Sequence, residues 1–268
     1  MKYPLLVLDL DGTLTNSQKQ ISPANLSALM EAQQKGVKVV LASGRPTYGI
    51  EPIAREIGLS EYGGYILSYN GAQIINWSTG EVHYEKLLNP EVYPYLKQCA
   101  LDAGLTLLSY KDRYVVTEDP DNPYVIHEAK LNRMPIMAVP DILATIDFPV
   151  AKFLIVGDPD ALAQLEPKMR TALGAHINVF RSEPFFLELV PLGIDKALSL
   201  AVLLEHLNLD ASQMMAMGDG YNDLSMIHMA GMGIAMENAQ DAVKQHAHYV
   251  TLTNDADGVA HAIRQFCL

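Results

Sequence analysis

LVLDLDGTL, residues Leu6 to Leu14, ends an apolar run on two acidic side chains, Asp9 and Asp11, and reaches a turn-forming residue at once with Gly12. The run from Pro4 to Leu10 is continuous rather than alternating, which predicts a strand buried on both faces of a parallel sheet. Polar groups at the carboxyl end of such a strand stand where open α/β sheets bind their ligands. The question the stretch raises is why two carboxylates are placed there.

Working outward, Ile21 to Lys35 predicts a helix, starting at Ser22 with Pro23 at its first position and ending at Gly36. Val37 to Ala42 is a second apolar strand, so a βαβ unit closes by residue 42. A helix over Pro46 to Ile57, a strand over Tyr65 to Ser68 and a hairpin turning at Thr79-Gly80 follow. From about Asn89 the pattern changes to groupings of one helix and two strands. The first is Pro90 to Ala103 with Leu105 to Ser109 and Tyr114 to Thr117. The second is Pro159 to Leu173 between Lys152 to Val156 and the pair His176 to Phe180 and Phe186 to Val190. Asp119 to Pro149 is rich in Pro and resists parsing. After Pro191 the first pattern resumes with a helix over Asp195 to Leu207, a strand over Met214 to Met217, a helix over Leu224 to Met229 and a strand over Gly233 to Met236. The order is core, insert, core: 1–82, an inserted α+β unit over 83–189, and 190–268.

Composition narrows the function. A chain of 268 residues with 49% hydrophobic content buries a substantial core. The formal net charge of -12 argues against nucleic acid or an anionic membrane as partner, since a phosphate backbone is held by clustered Lys and Arg. Cys99 and Cys267 are far apart with no zinc spacing, and an early Asp9 breaks any leader-like stretch, so a soluble cytoplasmic protein is expected.

Four polar signals fall at predicted strand ends: Asp9 to Thr13, Ser43-Gly44-Arg45, Asn70-Gly71-Ala72 and Gly218 to Asp223. Lys196 opens a helix in the same half. If Asp9 attacks phosphorus it is an anion attacking an anion, and a divalent cation removes that repulsion. Asp219 is the natural second carboxylate, and hard oxygen ligands fit magnesium better than zinc. Asp11 reaches the leaving oxygen and is expected to hold a proton, its pKa raised by a neighbouring carboxylate. Gly12 lets the chain turn so that N–H groups face the phosphate. An EF-hand counted from Asp9 fails, because Leu14 stands where Gly is needed and Gln20 where Glu is needed. Ser43 alone reads as a helix cap; beside Asp9 and Asp219 it reads as a phosphate contact. Lys196 in a first helical turn is disfavoured by the helix dipole unless an anion is near. Asp223, four residues after Asp219, suits the orientation of metal waters. His127, His176 and His246 have no ligand spacing.

Together DLDGTL at Asp9 to Leu14, ASGR at Ala42 to Arg45, YNGA at Tyr69 to Ala72, ELVPLGIDK at Glu188 to Lys196, GDGYND at Gly218 to Asp223 and GIAMENA at Gly233 to Ala239 resemble the haloacid dehalogenase-like (HAD) phosphatases, Cof-type with a type IIB cap. The resemblance implies an α/β fold, a Rossmann-like parallel-sheet core with an inserted α+β cap. It implies an aspartyl-phosphate on Asp9, Asp11 as general acid/base with its main-chain carbonyl on Mg2+, Ser43 and Lys196 on the phosphate, and Asp219 on the metal with Asn222 and Asp223 close behind. Gly12, Thr13, Gly44, Arg45 and Asn70 complete the phosphate and substrate side, and Asp9, Asp11, Asp219 and Asp223 the metal side. Ala197 departs from the family's usual Gly after the lysine.

The expected activity is Mg2+-dependent hydrolysis of small phosphorylated metabolites, sugar phosphates first. A phosphomutase of phosphomannomutase type and a non-catalytic sensor are the alternatives. The insert, carrying Tyr110, Arg113, Tyr114 and Tyr124, is expected to act as a mobile cap that selects substrate, with Arg45 pairing near Glu188. Oligomeric state is not legible.

Overall fold

The computed structural model describes residues 2–268. It divides into two compact units, 1–85 with 195–268, and 86–194.

In the first unit the half before the insertion runs β1 (Leu5–Asp9), α1 (Pro23–Gln34), β2 (Lys38–Ala42), α2 (Thr47–Glu56), β3 (Tyr65–Ser68), β4 (Gln73–Asn76) and β5 (Val82–Glu85). The inserted unit runs α3 (Tyr93–Asp102), β6 (Thr106–Lys111), β7 (Tyr114–Thr117), α4 (Pro123–Asn132), β8 (Ile136–Ala138), α5 (Ile142–Thr145), β9 (Phe153–Val156), α6 (Pro159–Leu173), β10 (Ile177–Glu183) and β11 (Phe186–Pro191). The first unit then finishes with α7 (Lys196–Leu207), β12 (Met214–Gly218), α8 (Leu224–Met229), β13 (Met232–Ala235), α9 (Asp241–His246), β14 (Tyr249–Val250) and α10 (Gly258–Phe266).

The eight strands of the first unit pair in the order β14-β13-β12-β1-β2-β3-β4-β5. The first six are parallel, and β4 and β5 turn back as an antiparallel edge. Every residue of β1 and of β12 is buried, the burial that continuous apolar runs demand. The chain builds outward from β1 in both directions, so the strand order reverses between β1 and β12. That is the topological switch point, where the loops at the carboxyl ends diverge and leave a crevice. Helix α1 starts as read: the Ser22 side chain accepts from Asn25 N, Pro23 occupies the first turn, and Ala28, Leu29 and Ala32 are buried.

The second unit is a six-stranded sheet in the order β10-β11-β9-β6-β7-β8, antiparallel except for β7 with β8. Its own core gathers Leu96, Phe153, Leu162, Met169 and Leu187, with the rings of Tyr93 and Phe153 edge to face at 4.7 Å. The unparsed stretch folds as α4, β8 and α5, with Asn122 and Asp141 capping the two helices. The divisions fall at 85/86 and 194/195, beyond the 82/83 and 189/190 read from sequence. The reason is strand membership: β5 belongs wholly to the first sheet, and β11 runs on to Pro191 in the second.

Tyr110 is not a surface residue of the insert as expected. It is buried, and its hydroxyl donates to Glu128 Oε1 at 2.5 Å. Tyr114 is exposed, and Tyr124 stacks on Phe185 at 5.4 Å.

Candidate active site

Parallel register builds the site. Leu8 pairs with Met217 and Asp9 with Ala42, so Asp9 closes β1 level with the end of β12 on one side and of β2 on the other. Asp219 follows the last residue of β12, and Ser43 the last of β2. Lys196 is the first residue of α7, whose N-cap Asp195 accepts from Ala197 N at 2.8 Å and Leu198 N at 3.1 Å. The helix therefore starts normally with Ala197 in place of Gly.

Lys196 is buried, and its ammonium donates to Asp9 Oδ1 at 2.8 Å, to Asp223 Oδ1 at 2.6 Å and to the Ala42 carbonyl at 3.0 Å. These carboxylates are the anions that the unfavourable helix position required. Burial alone would strip the ammonium, but the charges of Asp223 and Asp9 outweigh it and hold the lysine above its usual value.

Asp9, Asp219 and Asp223 each offer an oxygen within 4.8 Å of the others. Burial first, then the charge of Asp223, pushes the Asp9 carboxyl well above the usual carboxylate range, against the pull of Lys196. Burial likewise pushes Asp219 up to about 6, with Asp223 adding and the Thr13 hydrogen bond opposing. Three carboxylates thus crowd one buried cation, and the cluster carries an excess of negative charge. An all-oxygen donor set with that excess fits a hard dication.

Asp223 has both oxygens engaged, Oδ1 by Lys196 and Oδ2 by the N–H groups of Asp219 at 3.0 Å and Gly220 at 2.9 Å. It braces the loop that carries Asp219. Gly218 is required beside it, because a Cβ there would meet the Asp223 side chain at 2.5 Å.

Asp11 behaves differently from the sequence reading. Its carboxylate turns to Arg45, which donates from Nε to Oδ2 at 2.8 Å and from Nη2 to Oδ1 at 2.7 Å, and to Lys19, whose Nζ reaches Oδ1 at 2.8 Å. Burial alone would raise its pKa, but the hydrogen bonds and charges of Arg45 and Lys19 win and hold it below the usual value. The raising influence is burial rather than the neighbouring carboxylate expected, and a bidentate guanidinium with Lys19 overrides it. Arg45 is thereby committed to Asp11, while Glu188 is held by Lys152 at 3.0 Å within the second unit.

Gly12 adopts φ +85, and a Cβ there would collide with the Asp219 carboxylate. The N–H groups of Thr13 and Leu14 bond back to Leu10 and Asp9 carbonyls. The Thr13 hydroxyl is buried and donates to Asp219 Oδ1 at 2.9 Å. Ser43 does not cap α2, whose N-cap is Pro46; its hydroxyl accepts from Arg45 N at 3.2 Å. Asn70, in the left-handed region at φ 57, accepts from Asn222 Nδ2 at 3.0 Å and leaves only 3.0 Å for a Cβ on Gly44. Sequence reading missed Lys19 and Asn238. Asn238 donates to the Gly12 carbonyl at 2.8 Å and accepts from Asn254 N, and its signal lay in the closing GIAMENA stretch.

A parallel sheet whose switch point gathers carboxylates around a buried lysine defines a hydrolase of the haloacid dehalogenase class. The model of the haloacid dehalogenase-like hydrolase family matches residues 6–263, and the chain belongs to that family as a phosphatase of Cof type. A haloacid dehalogenase-like hydrolase of known structure from Bacteroides thetaiotaomicron is 56% identical, with 98% of this chain and 99% of its own covered and a TM-score of 0.97. The 5-amino-6-(5-phospho-D-ribitylamino)uracil phosphatase YcsE of Bacillus subtilis (strain 168) is 32% identical, with 98% of this chain and 96% of YcsE covered. The HAD subclass IIB sugar phosphatase BT4131 shares the fold at 24% identity, with 98% of each chain covered and a TM-score of 0.79. Among the described residues no helix is long and apolar enough to cross a membrane.

Proposed function

We propose that the chain hydrolyses phosphate monoesters of small metabolites, sugar phosphates first, in a Mg2+-dependent reaction through an aspartyl-phosphate on Asp9. The observation that carries this reading is the Lys196 ammonium clamped between Asp9 and Asp223 beside Asp219, a charge-crowded carboxylate at a strand end. The name of YcsE, a phosphatase of a phosphoribitylamino compound, supports a polyol or sugar phosphate as the class of substrate.

Asp9 and Asp219, with Asp223 behind them and the main-chain carbonyl of Asp11, would hold the dication, which supplies the positive charge that lets a carboxylate approach a phosphate. Asp9 Oδ attacks phosphorus, forming the Asp9–phosphorus bond as the ester oxygen leaves. Asp11 gives that oxygen its proton and then, as carboxylate, takes a proton from the water that attacks phosphorus and frees Asp9. Ser43 holds a phosphoryl oxygen, Lys196 holds another once its bond to the Asp9 carboxylate is given up, Asn70 and Asn222 brace the rim, and Thr13 fixes Asp219. Because Arg45 and Lys19 keep Asp11 ionised, the acid step requires that this ion pair loosen when ester is bound.

The test is a screen of phosphorylated sugars, polyols and nucleotides with free phosphate as readout, run with Asp9→Asn and Asp11→Asn. Asp9→Asn abolishes turnover. Asp11→Asn loses about 10²–10⁴-fold and still forms acid-stable phosphate on Asp9. Inversion of configuration at a chiral phosphorus, with no acid-stable phosphate trapped on the protein by rapid quench, would refute the covalent route. An isomerised product without free phosphate would refute hydrolysis.

A further inference from the structure

His83 lies on β5, the last strand before residue 86, and His206 in the last turn of α7, the first helix after residue 194. Their rings sit 4.1 Å apart, centroid to centroid, at 48°. The Tyr65 ring packs edge-on against His83 at 5.6 Å. The His83 side chain is 6% exposed, yet its Nε2 is buried with no hydrogen-bond partner. A buried imidazole nitrogen in that state has lost water and gained nothing in return. Glu81 Oε2 stands 3.8 Å from it, beyond hydrogen-bond reach but close enough to share a small ligand.

We propose that His83, His206 and Glu81 form a second metal site, for a borderline transition-metal dication of the zinc, nickel and copper group. Two imidazoles and a carboxylate are a donor set such ions favour, with water completing the shell. Among the described residues only Asp9, Asp219 and Asp223 have donor atoms that already converge, so His206 and Glu81, both exposed, must turn a nitrogen and an oxygen toward the buried Nε2 of His83 about their broad terminal torsions. The all-oxygen cluster of Asp9, Asp219 and Asp223 selects by hardness instead, so magnesium fills that cluster and leaves the imidazoles free. An ion on His83 and His206 cross-links β5 to α7, the two core elements that adjoin the inserted unit in sequence. The site is independent of the phosphatase reading and fails or stands by itself.

The experiment is titration of the full chain with Zn2+ by calorimetry and with Cu2+ by electron paramagnetic resonance, both in excess Mg2+. Wild type binds one ion with nitrogen coupling from two imidazoles, and its Tm rises on binding. His206→Ala, an exposed change that leaves the fold intact, weakens binding about 10-fold or more, as does His83→Ala; Glu81→Gln weakens it less. His228→Ala, in the looser ring pair with His246 at 6.3 Å, changes nothing. Equal affinity in wild type and His206→Ala, coupling from fewer than two nitrogens, or a loss that follows His228 overturns the site.

Discussion

Lys196→Met tests whether the buried lysine is what makes three adjacent carboxylates tolerable. Methionine keeps most of the unbranched stem and removes only the charge and its three hydrogen bonds, to Asp9, Asp223 and the Ala42 carbonyl. Removing one partner of a fully buried ion pair costs about 3–5 kcal/mol, because the remaining charge is left without compensation. Two carboxylates lose their partner here, so the upper end applies at pH 7. The pH dependence gives the sharper signature. Without Lys196 the folded-state pKa of Asp9 moves further above its unfolded value, so the folded protein takes up protons that the unfolded chain does not. The deficit is then smallest near pH 4–5 and grows as pH rises toward 7. Urea unfolding of wild type and Lys196→Met in chelator, at pH 5 and pH 7, measures both quantities. A loss under about 1 kcal/mol at pH 7, a size typical of exposed pairs, would refute the reasoning. So would a deficit that does not change between the two pH values.

Gly12→Ala places a Cβ against the Asp219 carboxylate at φ +85, costs about 1–3 kcal/mol of backbone strain and lowers activity; a variant with wild-type Tm and turnover would show that the turn is not constrained. Asp219, pushed up to about 6, lies above its unfolded value, so in chelator its contribution to stability falls as pH rises from about 4 to 6. Asp219→Asn therefore flattens the Tm profile across that window, and an unchanged slope counts against the assignment. Arg45→Ala removes the strongest partner of Asp11 and lets its pKa rise, which moves the basic limb of the kcat profile to higher pH; a limb that stays in place separates Asp11 from the acid step.

The core half was legible because its strands are continuous apolar runs that stop at polar residues, so β1, β2, β3 and β12 could be read with their ends. The same rule failed over 119–149. Helix α4 buries Glu128 and Asn132 beside Val125 and Ala129, so polarity no longer marks the outer face, and α5 is four residues long. The C-terminal α9 and β14 are six and two residues long, too short to show a period, and only α10 buries an apolar face, with Val259, Ala260, Ala262 and Ile263. In the site, Asp9, Ser43 and Asp219 were legible because strand ends advertise them, and Lys196 because a lysine opening a helix needs an anion nearby. The state of Asp11 was not, because it depends on Lys19, eight residues away, and Arg45, thirty-four away, and sequence spacing says nothing of which charge reaches a carboxylate first.

The arrangement also explains why the carboxylates stay crowded without flying apart. Asp9 cannot withdraw, because the rest of β1 is wholly buried between β2 and β12, and a one-residue slip would break the register on both sides. Asp219 cannot withdraw either: the Thr13 hydroxyl holds one oxygen, and Asp223 holds the N–H groups at its base. Hydrophobic burial of the strands, about 25 cal/mol per Å² of apolar surface, thus works against carboxylate repulsion. The repulsion is fixed in place before any ligand arrives, so little reorganisation is left for the moment at which a cation and a phosphate ester enter. Arg45 and Lys19 apply the opposite logic to Asp11, which they neutralise and hold to one side. Two carboxylates two residues apart are thereby given opposite environments, burial and Asp223 outweighing Lys196 to raise Asp9 while Arg45 and Lys19 lower Asp11, and the attack and proton transfer proposed for them each require that balance to shift when ligand binds.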